Sequence, residues 1–136
     1  MQDLTTLSAS ALANGIAAKT IRTEDLMAAV LDRIDAVNPA VNAIVSLRPR
    51  DDLLAEARAA DAAPSKGWLH GIPVAVKDLA AVKGLRTTWG SPIYADHIPV
   101  ADDIVVARMR DAGAIFIGKT NTPEWGLGSH SFNEIF

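Results

Sequence analysis

Two lysines and one glycine-rich loop mark where this chain could do chemistry. Lys77 closes the run His70-Gly71-Ile72-Pro73-Val74-Ala75-Val76-Lys77-Asp78, a β-branched apolar stretch bounded by Gly and Pro on one side and by charge on the other. In open α/β sheets ligands bind in the crevice beyond the carboxyl ends of the strands, which is where such a lysine would stand. A lysine desolvated without a counter-ion gives up its proton below the reference value of about 10.4, and the neutral amine can then accept a proton from a hydroxyl. Next to Asp78, the same pattern also fits an ordinary solvated strand-end charge, and spacing alone leaves both readings open.

The second lysine, Lys119, lies in Gly113-Ala114-Ile115-Phe116-Ile117-Gly118-Lys119-Thr120, which satisfies G-x-x-x-x-G-K-[ST] at every defined position. A phosphate loop needs a flexible turn between a strand and a helix, so that backbone N–H groups can curl around an anion. Here the order is reversed. Ile104 to Ala112 reads as a helix, Ala114 to Ile117 are strand residues, and Thr122-Pro123 blocks a helix from running on. The expected structure is a helix stop at Gly113, a buried strand at Ala114 to Ile117, and an exit through Gly118-Lys119-Thr120-Asn121. The remaining candidate is Gly126-Leu127-Gly128-Ser129-His130-Ser131, where spaced glycines and hydroxyls suit close backbone approach to a ligand. His70, His97 and His130 are far apart in sequence, no metal motif is present, and no metal or cofactor is expected.

These groups need elements to hold them. Thr23 is expected to cap a helix with Glu24 and Asp25 in its first turn and Leu26, Val30, Ile34 and Val37 on one face, stopped by Asn38-Pro39. A short strand between Val41 and Leu47 and an alanine-rich helix from Arg50 to Ala63 follow, then a loop from Pro64 to Gly67. His70 to Asp78 reads as a strand buried on both faces. The Gly- and Pro-bearing segment from Ala80 to Val100 is an irregular excursion. Asp102 is then expected to cap a helix that shows Val105, Met109 and Ala112 on one face, with Gly113 as its stop. Strand, excursion, helix and strand make a βαβ-like unit.

The bulk numbers limit the classes. At 136 residues, 49% hydrophobic and 21% charged, the chain suits one globular domain, and its few strands look like the front of a larger one. Sixteen acidic and thirteen basic residues give a net charge of −3, and no basic cluster marks a nucleic-acid surface. Without cysteine there can be no disulfide framework, thiolate metal site or thiol nucleophile. The opening MQDLTTLSAS has no basic segment followed by an apolar one, and no apolar run approaches the ~18 residues of a membrane span. A cytoplasmic, unanchored protein is expected, with no nucleic-acid or membrane partner.

Taken together, Leu69 to Asp78, Gly84-Leu85-Arg86-Thr87-Thr88-Trp89-Gly90-Ser91, Arg110-Asp111-Ala112-Gly113-Ala114 and Gly118-Lys119-Thr120-Asn121-Thr122-Pro123-Glu124-Trp125 resemble the amidase signature family. Upstream, Leu31-Asp32-Arg33-Ile34-Asp35-Ala36-Val37-Asn38-Pro39 is similar to that family's amino-terminal helix end. The resemblance implies an α/β fold in which a mixed sheet is flanked by helices in an α/β/α arrangement. This chain would be its amino-terminal portion, with 1–68 a mainly helical lead-in and 69–136 the start of the core sheet. It further implies a Ser–cis-Ser–Lys triad that hydrolyses amides through a seryl acyl-enzyme, with Lys77 as the triad lysine. Gly126, Leu127, Gly128 and Ser129 would line the substrate cavity.

Both family serines belong to a segment resembling G-G-S-S-G-G that follows the position of Phe136, so no residue here is carried over as nucleophile or bridging serine. The 136 residues alone are therefore expected to be inactive. The implied partner is a small-molecule amide, and a homo-oligomer is compatible with the sequence. Two alternatives accompany this reading: a non-catalytic fragment or scaffold subunit, and the A-type subunit of a tRNA-dependent amidotransferase. Ser129-His130-Ser131-Phe132-Asn133 looks more like the general amidases than like the amidotransferase subunits.

Overall fold

The structure, a computed structural model, describes residues 3–136; Met1 and Gln2, the start of the stretch read for a leader, lie outside the described residues. Three strands form one mixed sheet in the order β1-β3-β2, where β1 is Ile44–Val45, β2 is Pro73–Lys77 and β3 is Ile115–Thr120. β3 is central, antiparallel to β1 and parallel to β2. Helices α1 (Ala9–Ala17), α2 (Thr23–Val41), α3 (Arg50–Ala62) and α4 (Ile104–Asp111) complete the fold. The β2–α4–β3 crossover is the βαβ unit expected from the sequence.

Two apolar clusters cover the two faces of β3. Ile115 and Ile117 pack with Met27 and Leu31 of α2 and Leu53 and Ala57 of α3. Phe116 packs with Val76 of β2, Val82 of the excursion and Val106 of α4. Burying each of these side chains contributes roughly 1.5–3 kcal/mol, so β3, with a helical layer on one side and α4 plus the excursion on the other, anchors the domain. β2 has no second neighbour among the described residues and is only partly buried, which corrects the expectation of a strand buried on both faces.

The amino terminus of α2 is capped from a distance. Arg22, not Thr23, holds the cap position and makes no side-chain cap bond. The free N–H groups of Thr23 and Glu24 instead donate to the two carboxylate oxygens of Asp61 at 2.6 and 3.1 Å. Thr23 is fully buried where α2 meets the turn before β2, so its hydroxyl is not available for local capping. At the other end α2 runs through Pro39 to Val41 and stops at Asn42, which takes a left-handed conformation at φ 48°. The expected stop at Asn38-Pro39 came two residues early. Pro39 lies exposed in the last turn, where losing one N–H removes a single bond. Asn38 uses its amide as a surrogate backbone, exchanging two hydrogen bonds with Ile44, and so starts β1, which is only two residues of the expected Val41–Leu47 stretch.

α4 differs in its start and its face. Asp103 holds the cap position, while Asp102 accepts from Lys83 N–H at 2.6 Å and from Arg110 at 2.6 and 2.9 Å. The Arg110 hydrogen bonds hold the Asp102 carboxyl below its ordinary value. Asp103 reaches back to Ala81 N–H at 2.8 Å, so the paired acids fasten the excursion to the helix. Met109 and Ala112 pack against the core as expected, but Val105 is exposed and Val106 is the buried residue of that face. The stop is as expected. Gly113 at φ 96° lets its own N–H reach the Arg110 carbonyl and lets that of Ala114 reach Met109, the paired bonds of a Schellman end. β3 then starts at Ile115 and runs through Gly118-Lys119-Thr120, so those three residues are strand and not exit loop.

The long-range cap gives a direct prediction. Asp61→Ala should lower stability by about 1–2 kcal/mol in urea unfolding, with Asp61→Asn losing less, because a cap acceptor is removed in the first and kept in the second. An unchanged unfolding midpoint for Asp61→Ala would contradict the assignment.

Candidate active site

Lys77 is the last residue of β2, paired in register with Thr120 of β3. Its side chain is exposed, as at the open end of a strand. Alternation along β2 puts Ala75 on the same side, with Ala75 packed toward the α2–α3 layer and Val74 and Val76 toward the excursion. A tight turn follows at once: Asp78 N–H donates to the Thr120 carbonyl at 2.9 Å and Ala80 N–H to the Lys77 carbonyl at 3.0 Å.

Beneath that turn lies a polar cluster not anticipated from the sequence. Lys119 and Asp78 are both fully buried, with Lys119 Nζ 3.8 Å from an Asp78 carboxylate oxygen. Lys119 Nζ donates to the Ala80 carbonyl and to the Thr87 hydroxyl, the latter at 3.0 Å. Asp78 accepts the Thr88 N–H at 3.1 Å and the Thr88 hydroxyl at 2.5 Å. Burial pulls the Lys119 ammonium down to about 8, against the upward pull of Asp78 and, more weakly, of Asp103.

Lys119 reaches this cluster because of an irregularity in β3. The register of β2 on β3 slips between Val74 and Ala75, leaving Ile117 as an extra residue opposite the ladder. Phe116 and Lys119 are three apart, which strict alternation would place on opposite faces, yet both face the excursion. Alternation read from the sequence therefore missed Lys119. A charged residue inside an apolar strand run was the signal that could have found it.

The glycine-rich loop comes to the same end of the sheet. A Cβ on Gly126 would stand 2.8 Å from Leu79 Cδ1, so the loop touches the turn that follows Lys77. Leu127, Gly128 and Ser129 are exposed beyond it. Trp89 and Trp125 link the two segments. The Trp89 indole N–H donates to the Leu79 carbonyl at 2.9 Å, Trp125 N–H donates to the Trp89 carbonyl at 2.7 Å, and the two rings stack 6.1 Å apart. Both tryptophans have positive φ, 51° and 54°, a conformation that non-glycine residues keep only where surrounding contacts enforce it.

The histidines are dispersed. His70 shares a hydrogen bond with the Ala60 carbonyl, His97 packs against Trp89 and Tyr94, and His130 is exposed. No group of three His, Cys, Asp or Glu side chains among the described residues is arranged to hold a metal ion. With Gly113 ending α4 and Ile115–Thr120 in β3, the run Gly113 to Thr120 forms no anion cradle, as the order of elements required.

The lowered Lys119 value fixes the sign of a pH effect. The unfolded chain keeps that proton to its ordinary 10.5 and the folded chain releases it near about 8. Between these values the unfolded state binds more protons, so stability rises with pH across the interval, while below it the cost of burying the charge is fully present. The melting temperature of the chain minus that of Lys119→Met should therefore increase from pH 7.5 to 10.5. A flat or falling difference would contradict the burial of a charged Lys119.

Residues 25–136 match the Amidase family. The chain is 40% identical to an acylamidase of Rhodococcus erythropolis, over 99% of this chain and 29% of that protein. It is 42% identical to a glutamyl-tRNA(Gln) amidotransferase subunit of Acidothermus cellulolyticus, over all of this chain and 28% of the relative. Among solved structures it superposes on the peptide amidase of Stenotrophomonas maltophilia with a TM-score of 0.79 at 34% identity, covering 88% of this chain and 26% of that one. A fatty acid amide hydrolase gives a TM-score of 0.89 at 26% identity, covering 97% and 24%. The chain thus spans less than a third of the length of the curated relatives it matches. By its fold and its sequence, the chain belongs to the amidase signature family.

Proposed function

We propose that residues 1–136 are the amino-terminal portion of a single amidase domain, and that the full-length protein hydrolyses a small carboxamide with Lys77 as the base. The observation that carries this reading is the placement of Lys77: it ends a strand parallel to β3, its side chain is exposed there, and it is followed by a turn that touches the Gly126 loop. Amide hydrolysis needs a proton taken from a serine hydroxyl as it attacks the carbonyl, and a neutral amine can take it.

In the family pattern the nucleophilic serine passes its proton to a bridging serine, whose own proton goes to the Lys77 amine. Collapse of the tetrahedral adduct breaks the C–N bond, the leaving amine takes the proton back, and water then releases the acyl group. The serines would come from the glycine- and serine-rich segment after the position of Phe136, and that segment would also remove water from Lys77. Gly126, Leu127, Gly128 and Ser129 would border the acyl group. A cytoplasmic setting belongs to the same reading; the cysteine-free sequence is compatible with it.

A second reading follows from the amidotransferase relatives: amide hydrolysis that delivers ammonia to a partner protein. Stable co-purification with a second subunit, together with weak turnover of simple amides, would favour it.

In the full-length enzyme Lys77→Ala should lower acylation by roughly 10²–10⁴-fold, the range for loss of a general base, while the fold is retained. Near-normal turnover would remove Lys77 from the mechanism. The 136-residue chain by itself should show neither amide turnover nor labelling by a serine-directed fluorophosphonate, and either signal would refute the division of the triad.

A further inference from the structure

We infer that Lys119, acting with Asp78, is a positioning residue for Lys77 and the Gly126 loop, an inference that rests on Lys77 being the base. The pair is fully buried, and removing two charges from water is costly; apolar side chains of similar size fill such sites with equal or better stability. Stability alone therefore does not account for a lysine at 119. What the pair adds is direction.

Lys119 Nζ holds the carbonyl of Ala80 and, with the Thr87 hydroxyl, the far side of the excursion. Asp78, one residue after Lys77, holds Thr88 by both its N–H and its hydroxyl. Leu79 is therefore pinned on both sides, at Asp78 and at Ala80. Its carbonyl receives the Trp89 indole N–H and its side chain meets Gly126. The backbone at the root of the Lys77 side chain and the wall of the proposed acyl site are set by one buried cluster. Asp103, which accepts the Ala81 N–H at 2.8 Å, is the other charge facing this cluster.

Without the Lys119 ammonium, the Ala80 carbonyl and Thr87 hydroxyl lose their donor and Asp78 is left as an uncompensated buried charge. The turn would relax, and a displacement of about 1 Å at the base is enough to cost roughly a hundredfold in rate. The larger effect falls on the chemical step, because the base is displaced while Lys119 itself touches no substrate.

The test uses the full-length enzyme and compares Lys119→Met, Thr87→Val and Lys77→Ala for kcat, KM and the pH dependence of kcat/KM on a small amide, per mole of folded protein. Lys119→Met should lose about a hundredfold in kcat, a larger factor than any rise in KM from the shifted Gly126 loop, and its pH profile should shift, since the base itself is displaced. Thr87→Val, which removes the bond from Lys119 and the hydroxyl's own bond to the Leu85 carbonyl but keeps the charge pair, should lose about tenfold in kcat with a smaller drop in melting temperature than Lys119→Met. If Lys119→Met does not fold, Thr87→Val decides. Unchanged kcat and pH profile in the folded variant, with only the melting temperature lowered, would overturn the inference. Lys77→Ala separates the two layers: if it is inactive while the Lys119 and Thr87 variants are normal, the base stands and the positioning role is wrong; if it is active, the base assignment itself fails and the positioning role falls with it.

Discussion

The structure is organised around a charge held out of water. Lys119 and Asp78 are both fully buried under the carboxyl end of the small sheet, and every proton and lone pair they bring must find a partner there. The partners come from the stretch between β2 and α4: the Ala80 carbonyl, the Thr87 hydroxyl, and the backbone and side chain of Thr88. A segment whose regular structure, among the described residues, is limited to the 3-10 turn Pro92–Tyr94 is thereby fixed against β3. The tight turn after Lys77, the stacking of Trp89 on Trp125 and the approach of Gly126 to Leu79 all lie within that fixed segment or against it.

The helices serve the same end of the sheet. α2 and α3 cover Ile115 and Ile117, and Asp61 at the end of α3 caps α2, so the two helices hold together as one layer. On the other face α4 begins with two aspartates that reach back to Ala81 and Lys83, joining the crossover helix to the excursion. Gly113 closes α4 in the one conformation that sends the chain directly into β3. The crossover thus delivers β3 beside β2 in parallel, which places the end of β2 and the loop after β3 next to each other.

Much of this was legible in the sequence. Helical periodicity located α2, α3 and α4, the β-branched runs located β2 and β3, and the order of elements correctly ruled out a phosphate loop in Gly113 to Thr120. The family was legible too, because several ordered motifs occur together. What escaped were features that depend on distant partners. Thr23 has the composition of a cap, but the fold buries it and brings Asp61 from thirty-eight residues away. Pro39 reads as a helix stop, but an exposed last turn tolerates it and Asn42 ends the helix. Lys119 reads as a polar exit from a strand, but the extra residue Ile117 turns it into the buried face. In each case local chemistry was read correctly and tertiary packing decided its use.

Amide hydrogen exchange across Ala80 to Ser91 tests most directly whether the buried pair orders this segment. If Lys119 and Asp78 fix it, the amides of Thr87, Thr88 and Ser91 should exchange as slowly as those of β3, through the same cooperative opening. Exchange of those three amides at the rate of an exposed loop, with β3 still protected, would contradict the account.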